Sequence, residues 1–270
     1  MKKIIIPVIL LFIGCSTQIN VEKNIKEINT ENKILSQYHI SKKALIKLKN
    51  NYYFYEIVPN GFVIYKLDSN YNIIQSKKIN RLIDITKLKS SNDNLIILGY
   101  DQEKNQPVIL KFDEKLNLKQ SIYVGHKFDI PKDISKDNAI LLIHYQNGAK
   151  LEICKNKCKI YPSKFNIFPK FIKKFNGGYL IVGSIQHPQE DLIILFIKDG
   201  KIINSKVYDF SMDDSPIDVK IKKDRAIIKV ISQDYMGAQK YITVEIDKNL
   251  NIINKEKKLE IKQLPLRFRT

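Results

Sequence analysis

The side chains of this chain that could carry chemistry are few and widely spaced. Asp84, Asp133 and Asp218 fall at comparable places in three related segments, each just inside a short apolar run. Brought together, three carboxylates would offer oxygen ligands to a hard cation or a basic group. Lys87, Lys136 and Lys220 stand nearby and oppose a cation by charge. The competing reading of each Asp is a hydrogen bond to local backbone at a strand entrance. Cys154 and Cys158 are separated by three residues, and no histidine lies near them in sequence. A redox pair more often has two intervening residues and sits at a helix amino end. His39, His126, His144 and His187 are scattered, at no metal-ligand spacing. His144 alternates into a strand and is expected to be packed, and His187 precedes Pro188 in a polar loop. There is no Gly-rich phosphate loop and no Gly-x-Ser-x-Gly elbow. The residues name no catalytic group, no metal and no cofactor.

The elements that must position these side chains repeat along the chain. A hairpin of the form Asp, three residues, Asn occurs at Asp68 to Asn72, Asp113 to Asn117 and Asp247 to Asn251, each time between apolar strands. Asp and Asn suit such turns because their side chains bond nearby backbone and tolerate left-handed conformations. Asp199-Gly200 is a shorter version, where Gly accepts a positive φ. Alignment on these turns gives five units of four strands. Second strands begin near Tyr52, Asn94, Ala139, Tyr179 and Ala226. A spacing of roughly 40 to 47 residues is that of propeller blades. Innermost strands are expected at 44–48, 83–88, 130–136, 168–175 and 216–221, and outer strands at 73–79, 118–124, 159–161, 202–208 and 252–257. Strands at 34–40 and 264–270 would extend the ring, giving six blades with one partial as the alternative. Cys154 and Cys158 replace the Asp and Asn of the repeated hairpin, so their strand ends face each other, within reach of a disulfide.

Two stretches carry a resemblance. Gly177-Gly178-Tyr179-Leu180-Ile181-Val182-Gly183-Ser184, together with Lys66-Leu67-Asp68-Ser69-Asn70-Tyr71-Asn72, resembles the repeats of secreted bacterial β-propellers over residues 42–258. The resemblance implies an all-β propeller domain over 33–270. It departs from those repeats in having no Trp for the outer strands, so Ile and Tyr must fill that volume. The amino end, Lys2-Lys3, an apolar run over 4–13, then Gly14-Cys15, has the layout of a secretory signal and is too short to span a bilayer. Phe12-Ile13-Gly14-Cys15 resembles the lipobox of bacterial lipoproteins, with Phe12 where Leu is usual. That resemblance implies a signal peptide over 1–14, diacylglycerol on Cys15, and a tether over 15–32. Anchoring by several acyl chains is stable, at about 0.8 kcal/mol per buried methylene. Ser16 after the lipid-bearing Cys resembles outer-membrane sorting.

The net charge is +18, or +16 without Lys2 and Lys3, and only Arg81, Arg225, Arg267 and Arg269 are arginines. Scarce Arg argues against bidentate phosphate recognition, and an exported chain does not point to nucleic acid. The excess suits anionic lipid headgroups or cell-wall polymer. The expectation is a lipid-anchored, exported, non-catalytic binding or scaffolding module for envelope proteins. Loop aromatics such as Tyr71, Tyr235 and Phe165 are its candidate anchors. A glycan-binding or glycan-active propeller, which the lack of Trp disfavours, and a cation sensor at the three Asp positions are the alternatives.

Overall fold

The computed structural model describes residues 45–145, 149–155, 157–162, 166–186, 189–210, 213–234 and 238–260, without the side chains of 257–260. The signal segment, Cys15 and the tether lie outside the described residues, as do His39, Phe165, His187, Pro188, Tyr235 and the segments 34–40 and 264–270.

The described chain is all-β. Twenty strands form five four-stranded antiparallel sheets, the blades of a β-propeller. Blade one is β1 (Ile46–Leu48), β2 (Asn51–Val58), β3 (Gly61–Leu67) and β4 (Ile73–Ile79). Blade two is β5 (Ile83–Ser91), β6 (Asn94–Asp101), β7 (Gln106–Phe112) and β8 (Leu118–Tyr123). Blade three is β9 (Ile130–Ile134), β10 (Ile140–His144), β11 (Lys150–Cys154) and β12 (Cys158–Tyr161). Blade four is β13 (Ile167–Phe175), β14 (Gly178–Gln186), β15 (Glu190–Lys198) and β16 (Lys201–Tyr208). Blade five is β17 (Asp213–Lys222), β18 (Arg225–Gln233), β19 (Gln239–Ile246) and β20 (Ile252–Glu260).

Burial follows position within each blade. The middle strands of blades two and four are apolar on both faces, as in Leu95–Leu98 and Leu192–Leu195, because each is covered by a neighbouring blade on either side, whereas β18 and β19 of blade five alternate. The outer strands are mostly exposed. Four apolar layers fill the gaps between consecutive blades, with Phe62, Ile64, Leu110 and Phe112 between blades one and two, and Val182, Ile194, Ile228 and Val244 between blades four and five. Complete burial of one such side chain contributes about 1.5–3 kcal/mol. A smaller layer around Phe54 and Leu67 belongs to blade one alone.

The repeated hairpin is one device used three times. Asp113 Oδ1 accepts from the backbone N–H of Lys115 and Asn117, at 2.9 and 2.8 Å, and its Oδ2 accepts from Asn117 Nδ2 at 3.1 Å. Asp68 and Asp247 hold the same bonds to their own turns. The residue before each Asn, Tyr71, Leu116 or Leu250, is left-handed, with φ of 65, 57 and 65°. Leu116 and Leu250 are buried and Tyr71 stacks on Tyr52 at 4.6 Å, so packing holds a backbone state that side chains normally avoid. The turns also join blades. Lys66 Nζ and Gln75 Nε2 of blade one donate to the Glu114 and Lys115 carbonyls of blade two. Asn204 and Tyr208 of blade four donate to the Asn249 and Leu250 carbonyls of blade five. In blade three Cys154 pairs with Cys158 across the β11–β12 turn, and the two form a disulfide.

Backbone hydrogen bonding to its own turn, Asn117 first, holds the Asp113 carboxyl well down, at about 2. A depressed carboxylate stabilises the fold above its ordinary 3.8 and loses that contribution as pH falls toward about 2. Asp113→Ala should therefore lower the melting temperature at pH 7 and flatten its fall between pH 4 and 2. Asp93→Asn removes an exposed 3.6 Å pair with Lys49 but keeps a side chain that tolerates the positive φ there, and should leave both unchanged. Thermal unfolding followed by circular dichroism at several pH values checks this.

Candidate functional site: a lysine-lined central funnel

The innermost strands of all five blades meet around one cavity of about 620 Å³. Its apolar wall is Leu45, Ile46, Ile134, Ile172 and Ile221. Its polar lining is Lys47, Lys87, Lys89, Lys136, Lys173 and Lys174, with Ser90 and Ser135. Lys87 and Lys89 lie two apart on one face of β5, Lys136 sits in the turn after β9, and the consecutive Lys173 and Lys174 come from β13, so it is the ring of blades that gathers them.

Four inner strands are bulged, and the bulge sets which side chain meets its neighbours. The extra residues are Thr86, Lys132, Lys170 and Ile217, and the residues that follow are Lys87, Asp133, Phe171 and Asp218. Lys87 therefore occupies in blade two the place that Asp133 and Asp218 hold in theirs. Asp84 lies three residues earlier, exposed, and accepts from Gln102 Nε2 at 2.8 Å. Asp218 is half-buried opposite Lys229. The three aspartates do not form one ligand cluster: Asp133 alone is tied into the lysines of the cavity.

Asp133 is 1% exposed. Its Oδ1 faces Lys87 Nζ at 2.9 Å, and its Oδ2 faces Lys173 Nζ at 3.0 Å and accepts from the Ile172 N–H at 3.1 Å. One carboxylate thus joins blades two, three and four. Other ties run round the same ring: Ser90 Oγ donates to the Lys47 carbonyl at 3.1 Å and Lys89 Nζ to the Ser135 carbonyl at 2.6 Å, while Lys170 donates to Ser215 Oγ. Burial, reinforced by Lys87 and Lys173, outweighs Asp133 and Asp137 and brings the Lys89 ammonium down to about 8. Among the described residues the cavity therefore carries several lysines and one buried counter-charge, Asp133. A second hollow, of about 600 Å³, lies between blades three and four and is lined by Lys155, Lys157, Lys159 and Lys198. Lys174 lines both hollows, and Asp137 faces it at 3.6 Å and Lys155 at 3.0 Å, while Asp199 joins the lysines of the second.

Two histidines that looked unconnected in sequence come together at the junction of blades two and three. His144 is buried, and its Nδ1 lies 2.8 Å from Asp129 Oδ1. His126 Nδ1 is 3.4 Å from both Asp129 Oδ2 and Glu152 Oε1. Burial, then the adjoining Asp129 carboxylate, pushes the Glu152 carboxyl upward. Sequence reading missed this group, because its members come from a loop and two strands and share no spacing. The signal available was the unusual Glu152 in the apolar strand Leu-Glu-Ile-Cys.

No family model matches the chain and no curated protein matches it. Solved structures do. Prolyl oligopeptidase B from Galerina marginata, bound to a 35mer substrate, aligns with a TM-score of 0.51 at 9% identity, over 82% of this chain and 34% of that one. The Dos1 propeller aligns with a TM-score of 0.49 at 9% identity, over 82% and 63%. TolB from Acinetobacter baumannii aligns with a TM-score of 0.48 at 11% identity, over 84% and 57%. The chain thus spans less than two thirds of each of these. The likeness is one of fold.

A lysine whose ammonium is depressed in the fold destabilises it while charged. That cost is present in full below about 8 and fades as pH rises toward the ordinary 10.5. Wild type should gain stability relative to Lys89→Gln between pH 8 and 10. Urea unfolding of the two proteins across that range checks the sign.

Proposed function

We propose that the protein is an exported, lipid-anchored, non-catalytic β-propeller that binds an acidic segment of an envelope protein at its axis. The observation that carries this reading is the convergence of Lys47, Lys87, Lys89, Lys136, Lys173 and Lys174 on one open cavity. Like charges gathered at low-dielectric walls repel one another, and an anionic guest relieves that repulsion while the apolar wall holds its stem. Among the described residues the lining contains no arginine, so attraction is by point charge and shape rather than by a planar fork. Two adjoining lysine-rich hollows that share Lys174 suit an extended chain rather than a single small ion. Anchoring through Cys15 would hold the domain near the membrane, where such a partner is met.

The test is crosslinking in cells of the full lipidated chain with a reagent that joins carboxylates to amines, followed by mass spectrometry. A reproducible envelope protein attached through the axial lysines is expected. Combined Lys47→Glu, Lys136→Glu and Lys174→Glu should weaken its binding by at least about tenfold, or 1.4 kcal/mol, and raised salt should weaken the wild type in the same direction. A partner held equally well by the triple variant, or none above background, overturns the reading.

A further inference from the structure

We propose that His126, Asp129, His144 and Glu152 form a structural site for a divalent metal ion of the zinc class, tying the exit loop of blade two to blade three. One ligand atom from each lies within 4.8 Å of all the others. For ligands about 2.0–2.1 Å from a tetrahedral ion, neighbouring ligand atoms stand roughly 3.3–3.4 Å apart. His126 Nδ1 is 3.4 Å from Asp129 Oδ2 and 3.4 Å from Glu152 Oε1, and His144 Nδ1 is 3.9 Å from Glu152 Oε2. His144 meets the other oxygen of each acid, and its 2.8 Å contact with Asp129 Oδ1 is a hydrogen bond whose proton an ion would replace.

The second observation concerns what is missing around the carboxylates. Asp129 and Glu152 are 1% and 0% exposed. Among the described residues the only basic side chains within 4.0 Å of them are the two histidines, and no hydrogen-bond donor reaches Glu152 Oε2. A buried carboxylate oxygen without a donor is costly, and a metal ion bound between the two acids removes that cost. Two imidazoles and two carboxylates are a borderline donor set that suits zinc-like ions rather than calcium. Four protein ligands complete a tetrahedron and leave no open position, so the site is structural.

The surroundings are built for the group. Glu152 sits on β11, two residues before the disulfide that closes the β11–β12 turn. Gly125, at φ +65°, admits the loop: a Cβ there would stand 2.6 Å from Asp129 Oδ2 and 2.5 Å from Leu142 Cδ1. His126 is about half exposed and gives an ion its way in.

The test uses the full chain in detergent without a polyhistidine tag, stripped with chelator and titrated with Zn2+ or Co2+. Metal content, the visible absorption of bound Co2+ and the melting temperature are read. One ion per chain, a tetrahedral Co2+ spectrum and a raised melting temperature are expected. His126→Ala and Glu152→Gln should each weaken binding by at least about a hundredfold. The quantity compared is the rise in melting temperature on adding metal, each variant being read against its own metal-free form, so that any loss of stability from removing the His126 ring does not enter. If Glu152→Gln does not fold, His126→Ala alone decides. No bound ion in the wild type, or equal binding by His126→Ala, overturns the proposal.

Discussion

The structure depends on one buried carboxylate set among lysines. Asp133 meets Lys87 from blade two and Lys173 from blade four, and accepts from the Ile172 backbone N–H. Each blade is a twisted sheet that cannot cover both of its faces by itself, and stacking solves that for the apolar middle strands. The axis is a different problem, because inner strands project polar side chains into a narrow space. With lysine the commonest polar choice there, repulsion would splay the inner ends of the blades. Asp133 offsets it at the point where three blades meet, with two ion pairs and a backbone bond. Removing one partner of a buried pair typically costs about 3–5 kcal/mol, more than the intact pair contributes net.

The same arrangement gives the axis its chemistry. Asp133 engages Lys87 and Lys173, while Lys47, Lys136 and Lys174 line the cavity without contacting that carboxylate. Lys89 spends its proton-rich head on the Ser135 carbonyl, and burial costs it part of its basicity. A core that needed only to be filled would have been built from Ile and Leu at all these positions, as the middle strands are. The charge that strains the axis is also what equips it for an anionic partner.

Much of this fold was legible in the sequence, and the reasons are local. The hairpins could be read because Asp68, Asp113 and Asp247 each bond their own turn, a contact that needs no knowledge of the rest of the chain. The Cys154–Cys158 bridge was readable for the same reason, as a substitution within a recognised turn. The inner strands were located, but not their exact register. A β-bulge inserts one residue and moves the next side chain to a new neighbour, which is why Asp84 looked equivalent to Asp133 and Asp218 when Lys87 holds that place. The lysine funnel was hidden among many other lysines, since only ring formation separates those at the axis from those on the surface. His126, Asp129, His144 and Glu152 are brought together by packing between blades, and no one-dimensional spacing reports that. The likeness to secreted propeller repeats gave the architecture, which the five sheets bear out.

The most direct test of the account is a double-mutant cycle on Asp133→Ala and Lys173→Ala, read by denaturant unfolding. If Asp133 joins blades three and four as described, the two losses will not add, and the cycle will show a coupling of about 1–3 kcal/mol. Strictly additive losses would contradict the account, and would mean that the blades are held by their apolar layers alone while the central carboxylate is incidental.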